Sequence, residues 1–454
     1  MVNILTQLSR YVLIILAAVY AMKCFTVFRS KHAWDRGSVY MTQNILMFMI
    51  HFICYMLIFL NARDFKILAF YLAQVVFFVM TLVLHSILYK HASRLLVNNM
   101  CFLMMVGFVM LSRLDLSMET SYAMKQFLIA VVGVAVALVI PVIIARFRYL
   151  EKWGIFYGIL CLCTLGSVFV FGRSAYGATN WIQIGPIGLQ PSELAKVIFV
   201  FFIAAMLCRR TDFKYVVIVS AIAAVFVLIL VAEKDLGAAV IFFMVYLVML
   251  YVATQKARYV ALGMGGLAAA SVVAYKLFSH VRVRVQVWQN PWRDYELTGY
   301  QIAQSLFAIG TGGWFGLGLC SSAAPQIPVV ISDFIFSAIC EELGGLFGIC
   351  LVLVFISCFI MFINISLQLS KPFYKLVAIG LSVGYGFQMF LTIGGVIKFI
   401  PHTGVTLPLV SYGGSSILST IITFGVIQGL YLLKQKESEA QMYEEQPEYE
   451  TQSR

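Results

Sequence analysis

The sequence has few charged residues and very many apolar ones. Charged residues make up 11% of its 454 residues, hydrophobic residues make up 62%, and the mean hydropathy is +0.93. A soluble protein cannot bury so large an apolar fraction, and no stretch of the chain has the composition of a soluble domain of useful size. The composition therefore excludes a soluble enzyme and predicts an all-α polytopic membrane protein.

The sequence also lacks the cysteine pattern of a disulfide framework or a metal site. Its ten cysteines are scattered, and most lie inside apolar runs. No cofactor is evident, and a divalent cation stays an open possibility because there is no ligand cluster at a recognisable spacing. A convincing signal-peptide cleavage site is missing between Ala18 and Cys24, so we interpret the N-terminal apolar run as a first span.

Thirteen apolar runs are long enough to cross a bilayer, at about 20 residues each. The run at 333–365 is long enough to tilt or kink. The predicted spans are 9–28, 40–61, 67–89, 97–112, 124–145, 154–172, 192–208, 215–232, 237–253, 259–279, 333–365, 376–398 and 411–433.

The net charge of +12 could indicate a nucleic-acid partner, but the basic residues cluster in alternate short loops, which favours a membrane and no nucleic acid. The positive-inside rule then predicts an external N-terminus, a cytoplasmic C-terminus and a large extracytoplasmic loop at about 280–332, together with external loops at 173–191 and 399–410. The basic loops carry Arg29, Lys31, Arg36, Lys90, Arg94, Arg146, Arg148, Lys152, Arg209, Arg210, Lys214, Lys256, Arg258, Lys371 and Lys375.

Residues 173–196, RSAYGATNWIQIGPIGLQPSELAK, combine an external loop with the start of a span. Trp181 can anchor the loop at the headgroup level, and Pro191 with Glu193 is favourable chemistry for a helix N-terminus. Lys196 shares a helix face with Glu193. The two residues either form a neutralised ion pair that caps the span or mark a substrate path in the apolar layer, and the sequence leaves both open.

The loop after His280 carries Arg282, Arg284 and Arg293 beside Trp288 and Trp292. Arginine and tryptophan there suit a phosphate-bearing lipid headgroup, although ordinary interfacial anchoring gives the same composition. The pattern at 299–310, with Gln301 and Gln304 among apolar residues, predicts a short helix in the interface.

Asp333 stands directly before a long apolar run. It could be a helix cap, or a general base whose pKa is raised by an apolar boundary, and the two roles can coexist. The segment 399–418, FIPHTGVTLPLVSYGGSSIL, has an irregular backbone that is tolerated at membrane depth only where it lines a cavity or is buried. It therefore predicts a wall of the same site, with the candidates Thr403, Gly404, Ser411, Gly413, Gly414, Ser415 and Ser416.

Five ordered motifs now resemble one family. They are WIQIGPIGLQPSELAK, KDLGAAV, NPWRDYELTGYQIAQSLFAIGTGGWFGLGL, SDFIFSAICEELG and PHTGVTLPLVSYGGSS. In this order they are similar to the SEDS proteins (shape, elongation, division and sporulation), the FtsW/RodA/SpoVE family of peptidoglycan polymerases. The likeness covers about residues 97–434 and implies a ten-helix core.

The resemblance implies a glycosyltransferase that polymerises lipid II, an undecaprenyl-pyrophosphate-linked disaccharide peptide, at the outer face of the bacterial cytoplasmic membrane. It implies that Asp333 is the essential acid, that Glu193 and Lys196 are the family's polar pair, and that Arg284 and Gln388 bind substrate. A class B penicillin-binding protein is the implied partner. The chain departs from many members, which carry Pro-Glu-x-His-Thr before the acid, whereas here Pro328 is followed by Val329, Val330, Ile331 and Ser332.

We therefore divide the chain into an N-terminal three-helix membrane extension (1–95), a SEDS-like core (96–434) and a polar, disordered cytoplasmic tail (435–454). Asp333 is the predicted general base. Two alternatives stay open, a flippase for the same lipid and a noncatalytic scaffold for a transpeptidase. A flippase should place ionisable residues along a two-sided path near the bilayer midplane.

Overall fold

The structure is a computed structural model that describes residues 2–29, 33–147, 149–175, 178–184 and 187–444. Within these ranges the chain is a helical bundle with one small sheet. The helices are α1 (Val2–Arg29), α2 (Ala33–Ala62), α3 (Phe65–Leu88), α4 (Arg94–Met118), α5 (Tyr122–Arg146), α6 (Gly154–Phe171), α7 (Pro191–Leu207), α8 (Phe213–Ala232), α9 (Leu236–Thr254), α10 (Ala257–Leu277), α11 (Ser279–Gln289), α12 (Tyr300–Gly312), α13 (Ile335–Leu343), α14 (Gly345–Leu367), α15 (Pro372–Val396) and α16 (Gly414–Glu444). The strands are β1 (Gly172–Ala175), β2 (Ala178–Ile184) and β3 (Ile187–Leu189).

Every predicted span forms helix. In the described part of the chain, 12 helices are long and apolar enough to cross a membrane. The predicted span at 192–208 is α7, whose 17 residues are slightly fewer than in those helices. At 1.5 Å per residue α7 is about 26 Å long, close to the thickness of the hydrocarbon layer. The all-α membrane architecture predicted from the sequence is therefore confirmed.

The long predicted run at 333–365 is two helices, because Gly344 breaks it. Gly344 has φ +95°, and a Cβ there would lie 2.5 Å from the backbone oxygen of Trp314. Only glycine allows this close approach and this left-handed conformation without strain. As a result the short helix α13 is separate from the spanning helix α14, and Asp333 precedes α13 rather than a continuous span.

The three N-terminal helices share the core of the rest of the bundle. Helix α1 packs against α2 and α14, and α2 packs against α4, which is almost completely buried. Polar contacts cross these interfaces: the Tyr20 hydroxyl donates to Asn99 Oδ1 (3.1 Å), and Asn99 Nδ2 donates to the Ser357 hydroxyl (2.8 Å). The extension is therefore an integral part of the bundle.

The segment at 173–191, which the sequence suggested was an external loop, contains a three-stranded antiparallel sheet in the order β1-β2-β3. Strand β2 pairs with β3 through Ile182 opposite Leu189 and Gln183 opposite Gly188. Gly177 and Gly185 of this segment lie outside the described residues.

The predicted loop at 280–332 is partly helical. Helix α12 confirms the short helix expected at 299–310, whereas α11 was not expected. Helix α11 follows α10 directly and carries Arg284 toward the bundle. Helix α10 itself packs against α9 and α11 and keeps apolar side chains such as Leu262 and Leu277 exposed.

The C-terminal tail differs from its prediction. Helix α16 continues to Glu444, so residues 435–444 are helical rather than disordered. This stretch, QKESEAQMYE, consists mainly of strong helix formers, which explains why the helix extends beyond the apolar run. Residues 445–454 of the predicted tail lie outside the described residues.

Candidate functional site

A cavity of about 750 Å³ opens at one end of the bundle. Its walls come from β2, the start of α7, the α8–α9 turn, helices α11 and α12, and the segments at 328–333 and 395–406. Eight of the predicted site residues line it: Asp333, Arg284, Glu193, Lys196, Gln301, Trp181, Thr403 and Gly404.

The backbone around Asp333 is fixed by two neighbouring segments. The amide of Tyr412 donates to the backbone oxygen of Ile331 (2.8 Å), and the Ser411 hydroxyl donates to the backbone oxygen of Ser332. The N-cap residue of α13 is Phe334 rather than Asp333. The helix-cap interpretation of Asp333 is therefore wrong, and its side chain, 23% exposed, faces the cavity.

Arg284 and Asp333 approach the same glycine from two sides. A Cβ on Gly404, whose φ is +73°, would lie 3.6 Å from Asp333 Oδ2 and 3.7 Å from Arg284 Nη2. Arg284 is held there because its Nη1 donates to the backbone oxygen of Thr403 (3.1 Å). Burial lowers the pKa of Arg284, while the charges of Asp333 and Asp235 act in the opposite direction. Arginine remains a cation under these conditions, so the site presents a fixed positive charge beside an acid.

A second polar group forms the inner wall of the cavity. Lys196 Nζ lies 3.1 Å from Glu193 Oε2 and also donates to Gln388 Oε1. Gln388 Nε2 in turn donates to the backbone oxygen of Thr406 (3.1 Å) and to the Ser416 hydroxyl (3.2 Å). The ion pair predicted between Glu193 and Lys196 is therefore present, and its lysine faces the cavity as part of a network between α7, α15 and α16.

Asp235 is a site residue that the sequence analysis missed. Its Oδ2 accepts hydrogen bonds from Asn180 Nδ2 (3.1 Å), Gln190 Nε2 (2.9 Å) and the Ser192 hydroxyl (3.1 Å), and its Oδ1 caps α9 at Ala238 N (3.1 Å). A cap was foreseeable from the sequence. The three other donors were not, because they come from the sheet and from α7.

Seven predicted site residues lie behind the cavity wall. Gln304 donates to the Tyr295 hydroxyl (2.9 Å). Gln126 bonds to both Ser411 and Gly413, at 2.8 Å and 3.0 Å, and the Ser415 hydroxyl accepts from the amide of Gln190 (2.7 Å). These residues hold the wall in place. The seven are Gln304, Gln388, Ser411, Gly413, Gly414, Ser415 and Ser416.

The cavity combines basic, acidic and apolar walls. Beside Lys196 and Arg284, Lys234 and Lys398 also reach it, and Val283, Val287 and Ile400 give it an apolar side. Lysine and arginine are the usual ligands of phosphate groups. In the described part of the chain, no group of three His, Cys, Asp or Glu side chains could hold a metal ion. The arrangement suits a molecule that has phosphates, a polar sugar part and an apolar chain.

Comparison with known proteins agrees with this chemistry. The sequence model of the FtsW, RodA and SpoVE family, described as cell cycle proteins, matches residues 91–436. The peptidoglycan glycosyltransferase RodA of Mycobacterium bovis is 34% identical over 347 residues, which cover 71% of this chain and 74% of that protein. The probable peptidoglycan glycosyltransferase FtsW of Aliivibrio salmonicida is 33% identical, covering 70% of this chain and 83% of that protein.

Solved structures have the same fold. A chain from a peptidoglycan synthase complex that coordinates polymerization and crosslinking superposes with a TM-score of 0.64 at 24% identity, covering 76% of this chain and 98% of that one. The rod shape determining protein RodA of Thermus thermophilus gives a TM-score of 0.57 at 23% identity, covering 75% of this chain and 96% of that one.

Proposed function

The chain belongs to the FtsW, RodA and SpoVE family of cell cycle proteins, and from this premise we propose that it is a peptidoglycan glycosyltransferase that polymerises lipid II. Its curated relatives carry that activity in their names. The observation that carries the proposal is the position of Asp333, an acid facing a cavity that also contains Arg284, Lys196, Lys234 and Lys398.

In the proposed reaction Asp333 is the general base. Its carboxylate takes the proton of the attacking sugar hydroxyl while the hydroxyl oxygen forms a bond to the anomeric carbon of the second, lipid-linked sugar. The bond from that carbon to the pyrophosphate oxygen breaks, and the electron pair leaves with the pyrophosphate. Attack from the opposite face inverts the configuration at the anomeric carbon.

The basic residues of the cavity stabilise the leaving pyrophosphate. Arg284 offers a planar fork of N–H donors that matches two phosphate oxygens, and Lys196 is held in position by Glu193 and Gln388. Fixed donors aimed at a developing charge lower the barrier without reorganising during the reaction. The undecaprenyl chain would lie along the apolar side of the cavity, near Val283 and Val287. No cofactor takes part in this proposal.

We place the site at the outer face of the cytoplasmic membrane. The α5–α6, α7–α8, α9–α10 and α14–α15 connections lie at the end of the bundle opposite the cavity. These connections are rich in basic residues, which supports a cytoplasmic location for that end and a cytoplasmic C-terminus. The basic residues there are Arg146, Lys152, Arg209, Arg210, Lys214, Lys256, Arg258, Lys371 and Lys375.

The proposed partner is a class B penicillin-binding protein. One structural relative of this chain was solved in a peptidoglycan synthase complex that joins polymerization to crosslinking, which supports a transpeptidase as the neighbour of this chain too. Such a partner would crosslink the strands that this protein extends.

The proposal is tested with the full-length protein, purified together with the penicillin-binding protein from the same organism and supplied with fluorescent lipid II. Wild type is expected to form glycan strands that resolve as a ladder on a gel. Asp333→Asn is expected to lower the rate by at least about 100-fold, because the base is lost. Asp212→Asn is the matched control, because Asp212 is exposed at the opposite end and asparagine caps α8 equally well.

Three outcomes would reject the proposal. The first is a folded Asp333→Asn variant that polymerises at the wild-type rate. The second is a wild-type protein that moves lipid II across vesicle membranes without forming polymer, which would favour the flippase. The third is a wild-type protein that gives neither polymer nor translocation, which would favour the noncatalytic scaffold.

A further inference from the structure

His402 contacts Asp333 inside the cavity, although the two lie in different segments of the chain. Its Nε2 is 3.6 Å from Asp333 Oδ2, and both residues line the cavity. Among the described residues, no lysine or arginine nitrogen lies close enough to Asp333 to form an ion pair, so His402 is the basic side chain nearest to its carboxylate. Nothing in the sequence analysis assigned a role to His402.

The imidazole of His402 is oriented by packing. Its ring stacks on Phe334, with ring centroids 4.7 Å apart and an interplanar angle of 23°. Phe334 is fully buried and is the residue next to Asp333, so the same short segment supplies the acid and the surface on which the imidazole lies. The stacking fixes the plane of the ring and directs Nε2 toward the carboxylate.

Both nitrogens of His402 lack a hydrogen-bond partner among the described residues, and both are buried. A buried polar atom without a partner is costly, so an unsatisfied imidazole inside a site indicates a partner that is engaged during function. The separation of 3.6 Å is about half an ångström longer than an ordinary hydrogen bond, and a small rotation of either side chain closes that gap.

The segment directly before Asp333 offers the acid no ionisable neighbour. Val329, Val330, Ile331 and Ser332 precede it, and none of them can hold a carboxylate by a charged contact. Arg284 stands across Gly404, but among the described residues its guanidinium forms no ion pair with Asp333. His402 is therefore the side chain placed to orient the acid.

We propose that His402 is a positioning residue for Asp333: its Nε2–H donates to Oδ2 and holds the carboxylate toward the attacking hydroxyl. This inference rests on the proposed function and names a further residue for it. A base must lie within hydrogen-bond reach of the proton that it removes, and a displacement of about 1 Å can cost about 100-fold in rate. His402 thus acts on the rate through the geometry of Asp333.

Three substitutions separate this role from simple packing. His402→Phe keeps an aromatic ring on Phe334 but removes both nitrogens, and is expected to lower kcat about 10- to 100-fold with little change in KM. His402→Gln restores an N–H donor near the position of Nε2 and is expected to recover most of that loss. His91→Gln is the matched control, because His91 is exposed in the α3–α4 turn at the opposite end.

The assay is initial-rate polymerisation of fluorescent lipid II by the full-length protein with its penicillin-binding protein, together with the midpoint of thermal unfolding. His402→Phe with wild-type kcat would overturn the inference and leave the ring a packing role. His402→Gln as slow as His402→Phe would overturn it too, because a donor would then have no effect. If polymerisation needs Asp333 while both His402 variants are fully active, the proposed function stands and only this inference fails.

Discussion

The Arg113 guanidinium lies 2.9 Å from Glu342, measured from Nε to Oε1, and both side chains are almost completely buried. This ion pair joins α4 to α13, the helix that follows Asp333. Glu342 is further satisfied by the amide of Cys320 (3.1 Å) and the hydroxyl of Ser322 (2.7 Å). The two residues thus hold together α4, α13 and the loop between α12 and α13 that contains Cys320 and Ser322.

Arg113→Met is expected to destabilise the protein strongly. Breaking a buried ion pair leaves an uncompensated charge, which costs about 3–5 kcal/mol of the free energy of unfolding. The double variant Arg113→Met with Glu342→Met is expected to regain part of that loss, because the isolated charge is gone. The measurement is thermal unfolding of purified protein in detergent. A double variant less stable than Arg113→Met alone would contradict this explanation.

Gly404→Ala is expected to affect the site far more than the fold. The methyl group would lie between Asp333 Oδ2 and Arg284 Nη2, at 3.6 Å and 3.7 Å, and φ +73° is strained for alanine. We expect a stability loss of about 1–2 kcal/mol and a drop in polymerisation rate of about 10-fold or more, because relief of the backbone strain at residue 404 would move the neighbouring Thr403 oxygen that holds Arg284.

The control for Gly404→Ala is Gly266→Ala in α10, where a Cβ would meet nothing within 4 Å. Alanine is favoured over glycine inside a helix, so this variant should be at least as stable as wild type and equally active. Equal rates for Gly404→Ala and wild type would show that the space beside Asp333 is not used in the reaction.

The sequence predicted the elements whose signal is local. Runs of apolar residues marked the helices, and the charge of the short loops indicated one orientation. Features that depend on distant residues were not predictable. The break at Gly344 is understandable only once Trp314 lies against it, and the partners of Asp235 come from the sheet and from α7.

The candidate site shows the same division. Motifs identified Asp333, Glu193 and Lys196, and the structure brings them to one cavity. His402 was missed because its significance lies in a contact between segments that are far apart in sequence. Ser411 and Gly413, in contrast, were expected in the site and lie behind its wall, where Gln126 holds them.

Arg10 is expected to stabilise the contact between the N-terminal extension and the end of the bundle that holds the cavity. Its Nη1 donates to the backbone oxygen of Gly316 (2.8 Å), in the loop whose amides at Leu317 and Gly318 bond to the C-terminal end of α13. Arg10→Met should lower the free energy of unfolding by about 1 kcal/mol, because the charge-assisted hydrogen bond to Gly316 is lost from a half-buried position, together with an exposed one to the Tyr11 hydroxyl (2.9 Å). Thermal unfolding measures this change.

Lys66→Met provides the comparison for Arg10→Met. Lys66 is exposed at the start of α3, so removal of its charge should leave stability within about 0.5 kcal/mol of wild type. If the two variants unfold at the same temperature, the contact between α1 and the Gly316 loop does not contribute to stability.

Glu233 makes the stability of the protein depend on pH. Its side chain is fully buried in the α8–α9 turn, and neither carboxylate oxygen has a hydrogen-bond partner among the described residues. Burial, and to a lesser extent the charge of Asp235, raises the pKa of Glu233 from 4.5 to about 8. The folded protein therefore holds this proton across a pH range in which the unfolded chain has released it.

The sign of the effect follows from proton binding. Below pH 4.5 both states bind the proton; between 4.5 and about 8 only the folded state does, so the free energy of unfolding falls as the pH rises through this range. Above a pH of about 8 the folded state has released the proton too, and the free energy of unfolding falls no further. Glu233→Gln stays neutral, so it should remove this contribution and be more stable than wild type at pH 8.5, by on the order of a few kcal/mol. Thermal unfolding of both proteins at several pH values between 5.5 and 8.5 measures the difference.

The matched control is Glu151→Gln, because Glu151 is exposed at the other end of the bundle and its neutralisation should leave the pH dependence as in wild type. Other titrating groups contribute equally to wild type and to Glu233→Gln, so the difference between their curves isolates Glu233. A difference that stays constant across this pH range would mean that Glu233 is ionised in the folded protein. Its buried carboxylate would then need a cationic partner. Lys234, the adjacent residue at the cavity wall, would be the first residue to mutate in a search for that partner.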